Sequence, residues 1–166
     1  MEYTFGLAVK DDLPSIHALI DQRIRWMDKV GIRQWNVTDY QTVYPESHYV
    51  EQLAQNHLYV LRRSSNRAVV AAAALYDADP RWPQNDNTSA YYVHHFVADR
   101  QEKGAGATLL RHLEELALLH EKSVLRLDCP SDSPRLNLYY QQKGYIPCGF
   151  CVDGKYKGNL KEKSLK

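Results

Sequence analysis

The chain has 166 residues, the size of one domain over residues 1–166, and it is long enough to bury an apolar core without disulfides. Lysine and arginine total 21 against 20 acidic residues, and the net charge of +1 gives no reason to expect binding to nucleic acid or to an anionic membrane. Three cysteines, an odd number, argue against a disulfide framework. The first residues lack the features of a signal peptide and no apolar run is long enough to span a membrane, so we expect a cytoplasmic protein.

The first third of the chain predicts a strand, a helix and a loop that is rich in aromatic residues. Residues 4–9 favour a strand, and an acidic pair followed by Pro14 marks a helix entrance with a proline in the first turn. Apolar residues then recur at helical spacing until Gly31, which ends the helix. In the loop that follows, Trp35 and Tyr40 either cover the core or form the wall of a substrate cleft.

The remaining elements are a short helix, a hairpin, and then strands that alternate with helices. The residue patterns place the short helix at 47–55, the hairpin strands at 58–61 and 68–75, strands at 90–97 and 123–129 on either side of a helix at 108–121, a helix from 133 to 144, and closing strands at 146–150 and 155–165. A strand, a helix and a strand in succession imply a parallel pair with a right-handed crossover, and ligands collect at the carboxyl ends of such strands. We therefore expect a cleft beside Phe96 and Asp128.

A loop with two glycines joins the strand at 90–97 to the helix that follows. A loop that opens a helix points several backbone N–H groups at one spot, where the helix N-terminus adds partial positive charge. Gly104 and Gly106 have no Cβ, so a diphosphate could approach the backbone closely there. The loop lacks the Gly-Lys-Ser/Thr of a P-loop and the three-glycine spacing of a dinucleotide fingerprint. The two glycines alone do not decide between an ordinary turn and a phosphate-binding loop.

The flanking residues add a family resemblance. Gln101-x-x-Gly104-x-Gly106 resembles the pyrophosphate-binding motif of the GNAT superfamily of acetyl-CoA-dependent N-acetyltransferases, whose pattern is Gln/Arg-x-x-Gly-x-Gly/Ala. A second stretch, 125–145 with its Tyr139-Tyr140-Gln-Gln-Lys-Gly-Tyr ending, is similar to the family's second signature. The resemblance covers essentially the whole chain. It implies an α/β (α+β) fold with a mixed sheet of about six to seven strands, about four flanking helices, and a splayed strand pair that forms the acetyl-CoA cleft.

The same resemblance implies roles for particular residues. Main-chain amides of the glycine loop would hold the diphosphate, and the strand end would hold the pantetheine arm like an added strand. The cofactor-binding residues implied are Phe96, Val97, Gln101, Glu102, Lys103, Gly104, Ala105, Gly106, Ala107, Thr108, Ser133 and Tyr140. Ser133 stands where many members of the family have an asparagine. His94 and Phe96 stand where the strand is usually aliphatic, so the register between the strand and the loop could be shifted by a residue or two.

The implied reaction is direct attack of a primary amine, from a small molecule or a peptide, on acetyl-CoA. The resemblance places Tyr140 at the family's tyrosine position, four residues before the helix-ending glycine, as the acid that protonates the departing thiolate, whereas helix geometry alone favours a core residue. A phenol stays protonated at neutral pH and can donate. His95 is the candidate base by its pKa range, with Asp128 and Glu46 as alternatives that act directly or through water. No metal is expected.

Other interpretations of the chain stay open to comparison. A CoA-binding sensor would keep the phosphate cradle without turnover. His94 and His95 with His112 or Cys129 lack recognisable metal-ligand spacing. Cys148 and Cys151 have the CxxC form of a thiol oxidoreductase, but they lie late in the chain between strand-like runs, so coincidence is favoured. The expected partner is the amine, with no nucleic acid or membrane and with a homodimer as one possibility.

Overall fold

The computed structural model describes residues 2–84 and 86–166, so the predicted loop over 77–89 is seen on both sides of residue 85, which lies outside the described residues. The described part forms one mixed sheet of seven strands with the order β1-β2-β3-β4-β5-β7-β6. The strands are β1 (Tyr3–Leu7), β2 (Leu58–Arg63), β3 (Val69–Tyr76), β4 (Ala90–Ala98), β5 (Val124–Pro130), β6 (Ile146–Asp153) and β7 (Tyr156–Ser164). The prediction of a mixed sheet of six to seven strands is confirmed.

Helices cover both faces of this sheet. The α-helices are α1 (Leu13–Val30), α2 (Tyr40–Val43), α3 (Glu46–Ala54), α4 (Ala105–Leu119) and α5 (Pro134–Gln142), and short 3-10 turns lie at Lys10–Asp12 and Trp35–Val37. One apolar cluster joins α4 and α5 to the sheet, and a second joins α1, α2 and α3 to the opposite face. Within the described ranges, no helix combines the length and the apolar character that crossing a membrane requires.

The boundaries of α1 follow from its sequence signals. Pro14 lies in the first turn, and Gly31 adopts a left-handed conformation with φ of 76°, donating its N–H to the carbonyl of Met27. The apolar stripe that includes Ile16 and Ile20 is buried against the sheet. The following segment, predicted as a loop, contains a 3-10 turn and α2, and it packs Tyr40 into the core.

The parallel strands β4 and β5 diverge after a short shared ladder. They pair only where Ala90–Tyr92 of β4 lies beside Val124–Arg126 of β5, although each strand continues well beyond that point. Strand β5 is instead paired over its full length with β7, and the far end of β4 stays paired with β3. The carboxyl ends of β4 and β5 therefore border an open cleft, as the predicted splayed pair requires.

Strand β4 also contains a bulge at the place where its register was left open. Ala72 pairs with Val97 and Ala74 with His94, so β4 has one residue more than β3 over this stretch. His95 takes up the difference in a left-handed conformation with φ of 52°. As a result, Phe96 packs in the α4 cluster, whereas the His95 ring lies among Tyr side chains of the opposite face.

Gly158 of β7 is a position where an added methyl group should destabilise the fold. A Cβ there would lie 2.7 Å from the Cys151 sulfur and 2.8 Å from the Tyr156 hydroxyl. We expect Gly158→Ala to lower the free energy of unfolding by about 1–3 kcal/mol, measured by urea denaturation. Gly6→Ala in β1 is the matched control, because nothing lies within 4 Å of its Cβ, and it should stay within about 0.5 kcal/mol of the wild type. Equal losses in both variants would contradict the packing argument.

Candidate active site

The N-terminus of α4 presents a set of backbone N–H groups to one surface. The helix begins at Ala105, three residues before the predicted start, because Gly104 adopts a left-handed conformation with φ of 85° as the residue before it. The N–H groups of Gln101, Glu102, Ala105 and Thr108 are bonded within the loop and first turn. Those of Lys103, Gly104, Gly106 and Ala107 have no acceptor among the residues that the structure describes. These four amides form a ready site for an anion.

The loop that carries these amides is fixed from the other side by a buried carboxylate. Glu102 is only 8% exposed, and its side chain accepts hydrogen bonds from the Tyr3 hydroxyl at 2.9 Å and from the Arg63 guanidinium. The carboxylate is thereby tied to β1 through Tyr3 and to β2 through Arg63. The Glu102 amide, which was predicted to contact the cofactor, is bonded to the Asp99 carbonyl at 3.2 Å, and the Glu102 side chain holds the loop through Tyr3 and Arg63, partners that local sequence patterns do not reveal.

Two adjoining cavities surround the start of α4. One has a volume of about 490 Å³ and is lined by Tyr3, Gln101, Glu102, Lys103, Gly104 and Thr108. The other, of about 320 Å³, lies further along the helix and is lined by Ala107, Thr108, Leu110, Arg111, Glu114, Lys143 and Lys163. Three basic side chains against one acidic one make the second cavity suitable for an anionic group.

The hydrogen bonds between β4 and β3 determine which backbone groups of β4 face the cleft. The N–H of Asp99 bonds to the Val70 carbonyl of β3 at 2.8 Å, and hydrogen bonding alternates along a strand. The N–H and C=O of Ala98 therefore face β5, and those of Val97, which is paired with Ala72, face β3. Phe96 and Val97 were the predicted main-chain contacts to the pantetheine arm. The backbone of Phe96 lies next to the bulge on the cleft side. The backbone of Val97 faces β3 instead, and Ala98 takes the position that was expected of Val97.

Tyr140 lies on α5 at the inner end of this cleft. Its side chain is buried in the α4 cluster, with the Tyr139 and Tyr145 rings edge-on at 5.2 and 5.7 Å. The hydroxyl donates to no acceptor among the described residues. Burial raises the pKa of Tyr140, and the neighbouring Cys129 thiol raises it further, so the phenol is protonated at neutral pH.

The start of α5 is fixed by two polar side chains. Ser133 accepts a bond from the Leu136 N–H at 3.4 Å, so its hydroxyl caps the helix. Asn137, one turn before Tyr140 on the same side of the helix, donates to the carbonyls of Pro130 and Ser133 at 2.9 Å each. Asn137 is a site-supporting residue that sequence reasoning missed, although its spacing from Tyr140 is visible in the sequence.

On the opposite face, His95 lies inside a buried cluster of rings. Its Nδ1 is hydrogen-bonded to the Tyr40 hydroxyl, which also bonds the Tyr49 hydroxyl, and its Nε2 lies 3.1 Å from Nε2 of His48. The ring of Tyr44 packs edge-on to His95 at 4.6 Å. Both ring nitrogens of the candidate base are therefore occupied within the cluster, of which His48 and Tyr44 are half-buried members.

Beside this cluster, Arg81 joins residues of three elements. It donates to Nδ1 of His94 in β4 at 3.0 Å and forms ion pairs with Asp79 at 3.6 Å and Asp128 of β5 at 3.5 Å. The other nitrogen of His94 bonds Asp79 at 2.7 Å. Burial alone would raise the pKa of Asp79, but His94 and Arg81 outweigh it and the pKa is lowered. Asp128 also accepts a bond from Tyr156 at 2.5 Å.

Several candidate residues lie apart from this arrangement. Glu46 is exposed in the first turn of α3. His112 stacks on Phe5 at 5.0 Å on the α4 face, away from His94 and His95, and no metal-binding group of three or more ligands occurs within residues 2–84 and 86–166. The three cysteines are free thiols, and burial raises the pKa of both Cys148 and Cys151 in β6.

Comparison with known proteins identifies the family to which this arrangement belongs. The chain is 27% identical over 154 residues to an uncharacterized N-acetyltransferase, YesJ, of Bacillus subtilis, an alignment that covers 89% of this chain and 83% of the relative. A GNAT-family acetyltransferase of Listeria monocytogenes has a TM-score of 0.79 at 18% identity, covering 99% of this chain and 95% of that one. The PaiA N-acetyltransferase of Thermoplasma acidophilum, in complex with coenzyme A, has a TM-score of 0.76 at 13% identity, covering 99% of each chain.

The match to a family model extends over most of the elements that form the cleft. It covers residues 29–145, from the end of α1 to the residue before β6, and includes β4, the glycine loop and Tyr140. Because this is well over half of the chain, the chain belongs to the acetyltransferase (GNAT) family.

Proposed function

We propose that this chain transfers the acetyl group of acetyl-CoA to a primary amine by direct attack of the amine on the thioester. The observation that carries the proposal is the set of four free amides at Lys103, Gly104, Gly106 and Ala107, which lies at the end of a cleft that contains Tyr140. A diphosphate bound there would place the rest of the cofactor along the unpaired edge of β4. The relative from Thermoplasma that contains coenzyme A supports this choice of ligand.

The cofactor arm and the acceptor would approach the cleft from opposite faces of the sheet. The amides and Tyr140 belong to the face covered by α4 and α5, whereas the histidines and Asp79 belong to the face covered by α1, α2 and α3. The gap between β4 and β5 is where the two would meet. An amine on the second face would then attack the thioester carbonyl, whose oxygen would be near the unpaired backbone of the bulge.

The proton balance assigns a role to Tyr140. The ammonium first loses one proton to solvent, its nitrogen forms a bond to the carbonyl carbon, and the C–S bond breaks with its electron pair on sulfur. The sulfur takes the Tyr140 proton, and the phenolate recovers a proton from the newly formed amide nitrogen through solvent. The products are the acetylated amine and coenzyme A with its free thiol, and one proton is released in total.

The acceptor side has the electrostatics that an ammonium group requires. Asp79 and Asp128 share the single cation Arg81, so the group keeps a net negative charge. Burial lowers the pKa of His48 although the nearby Glu51 carboxylate opposes it, and burial together with the charges of His94, His48 and Arg81 lowers the pKa of His95, so both rings are neutral at pH 7. We propose that this first amine proton reaches solvent through His48, which shares it with His95, since their Nε2 atoms are within hydrogen-bond distance.

The direct test is release of thiol from acetyl-CoA in the presence of a panel of small amines and of peptides with free amino groups. Turnover with at least one amine, with the acetyl group recovered on its nitrogen by mass spectrometry, is the expected result. Tight binding of coenzyme A with no turnover on any amine of the panel would favour the sensor, because the cradle would then be intact without the chemistry.

Replacing Gly104 with aspartate should weaken coenzyme A binding. The change puts a negative charge beside the four amides where the diphosphate would lie, and two like charges at such a distance should raise the Kd by about tenfold or more. Gly104→Asn is the matched control, because asparagine tolerates the left-handed conformation as aspartate does and a Cβ at this position meets open space. Calorimetric Kd values that are equal for the two variants would show that the loop does not hold the diphosphate.

Removing the Tyr140 hydroxyl should slow the reaction without loss of cofactor affinity. In Tyr140→Phe the departing sulfur lacks its proton donor, and we expect kcat to fall by roughly 10²-fold to 10⁴-fold. The Kd of coenzyme A should change by less than about twofold, since the hydroxyl makes no bond that the phenylalanine would disturb. An unchanged kcat removes Tyr140 from the mechanism.

Replacing His95 with glutamine should flatten the dependence of stability on pH. Burial and the charges of His94, His48 and Arg81 lower the pKa of His95 well below its usual value, and the other facing groups are tyrosines. The unfolded chain takes up a proton below about pH 6.5 that the folded chain does not, so stability falls as pH drops, by up to about 1.4 kcal/mol per unit. Urea denaturation at about pH 7 and about pH 5 measures this loss.

Glutamine at position 95 abolishes this contribution, whereas His120→Gln, a change at an exposed histidine, should keep the slope of the wild type. A slope for His95→Gln as steep as that of the wild type would contradict the assignment of a neutral His95.

A further inference from the structure

The guanidinium of Arg23 enters the cleft from the face opposite Tyr140. Arg23 belongs to α1, and its NH2 nitrogen donates to the Ala98 carbonyl at 2.8 Å. That carbonyl faces β5, because the hydrogen bonds of β4 to β3 alternate and Asp99 is bonded to Val70. The charged end of Arg23 therefore lies between the diverging strands, along the edge where the arm of acyl-CoA would run.

The surroundings of Arg23 provide no negative charge for it. Its Nε is buried and has no hydrogen-bond partner within the described ranges, and none of the described carboxylates lies within ion-pair distance. Burial and another cation close to it, Arg100, lower the pKa of Arg23, and the two guanidinium groups lie over the ring of Trp26 at 5.2 and 4.4 Å. A buried cation without an anion is costly, so a ligand or an intermediate with negative charge is the natural partner.

The cofactor reaction creates such a charge at this end of the cleft. Ala98, whose carbonyl Arg23 binds, packs against the cluster that contains Tyr140. The positive charge of Arg23 acts against the burial that raises the pKa of the Tyr140 phenol. Negative charge appears first on the sulfur as the C–S bond breaks and then on the phenol oxygen once the sulfur has taken its proton.

We propose that Arg23 stabilises the negative charge that forms on the coenzyme A sulfur and then on Tyr140. This inference rests on the proposed acetyl transfer. The covalent step is the one given above: the N–C bond forms, the C–S bond breaks toward sulfur, and the Tyr140 proton goes to the sulfur. Arg23 gives up no proton, because a guanidinium stays charged in proteins.

The test measures the thiol of bound coenzyme A, a readout that needs neither an acceptor nor turnover. The ultraviolet absorbance of the thiolate is titrated in the complex, and the titration of the complex with desulfo-coenzyme A is subtracted to remove the tyrosines and cysteines of the protein. The titratable and charged groups around Arg23 and Tyr140 are Arg100, Tyr139, Cys129 and Asp128, and they are the same in every variant.

We expect the apparent pKa of the bound thiol to be higher by about one unit in Arg23→Met than in the wild type, a tenfold loss of thiolate stabilisation. Arg23→Lys, which keeps the charge, should restore most of the difference. Arg25→Met is the matched control on the same helix, because Arg25 is exposed and donates only to the Asp21 carbonyl at 3.3 Å. A merely structural role of Arg23 would leave the thiol pKa unchanged.

The outcomes separate the two proposals. Equal thiol pKa values in wild type and Arg23→Met, with coenzyme A bound to both, overturn the role of Arg23 and leave the proposed function standing. A wild-type chain that binds no coenzyme A overturns both. If Arg23→Met fails to fold, Arg23→Lys provides the test. A thiol pKa in Arg23→Lys equal to that of the wild type supports the role of the positive charge. A thiolate that is tenfold less stable in Arg23→Lys than in the wild type overturns that role.

Discussion

The early separation of β4 from β5 is the constraint on which the site depends. Two neighbouring parallel strands would ordinarily satisfy each other's backbone groups, yet these two share only the first three residue pairs. β7 pairs with β5 along seven residues, and β3 pairs with the far end of β4. Each strand is thus held by its other neighbour, and the inner edge of β4 that is not paired with β5 remains available to a ligand.

The bulge in β4 extends the effect of this separation to both faces of the sheet. One extra residue between His94 and Val97 directs Phe96 toward α4 and His95 toward α1–α3. Without it, the alternation of side chains would exchange the two faces for every residue after the bulge. The same feature leaves backbone unpaired at the middle of the cleft, which is the position where an anionic oxygen would need donors. A single irregularity therefore joins an apolar cofactor face to a polar acceptor face.

Much of the fold could be predicted from the sequence, because its signals are local. The spacing of apolar residues in α1, the glycine that ends it, and the capping serine of α5 are each set by neighbours within a few residues. The start of α4 was placed three residues late, since the left-handed conformation of Gly104 moves the first turn into the glycine loop. Tyr140 was singled out by the family resemblance rather than by helix geometry, which alone favours a core position, and its side chain packs in the α4 cluster.

The polar contacts of the site could not be predicted in the same way, because they join distant parts of the chain. Nothing near Glu102 indicates that Arg63 and Tyr3 bind its carboxylate. Likewise, the occupation of both nitrogens of His95 depends on Tyr40 and His48, which reach it only through the packing of α2 and α3. A histidine on a strand shows its pKa range in the sequence, but the availability of its lone pairs is a property of the tertiary structure.

The two arginines of the cleft differ in a way that is informative about charge. Arg81 connects β5 to β4 through Asp128 and His94, and its charge is balanced by two carboxylates. Arg23 also lies between these strands, but its only described bond is to a neutral carbonyl. Both arginines are largely withdrawn from solvent, so they differ in whether carboxylates balance their charge and not in how deeply they are buried. A cleft that offers paired carboxylates on the acceptor side and an uncompensated cation at the edge of β4 where the cofactor arm would run is electrostatically matched to a reaction in which an ammonium enters and a thiolate leaves.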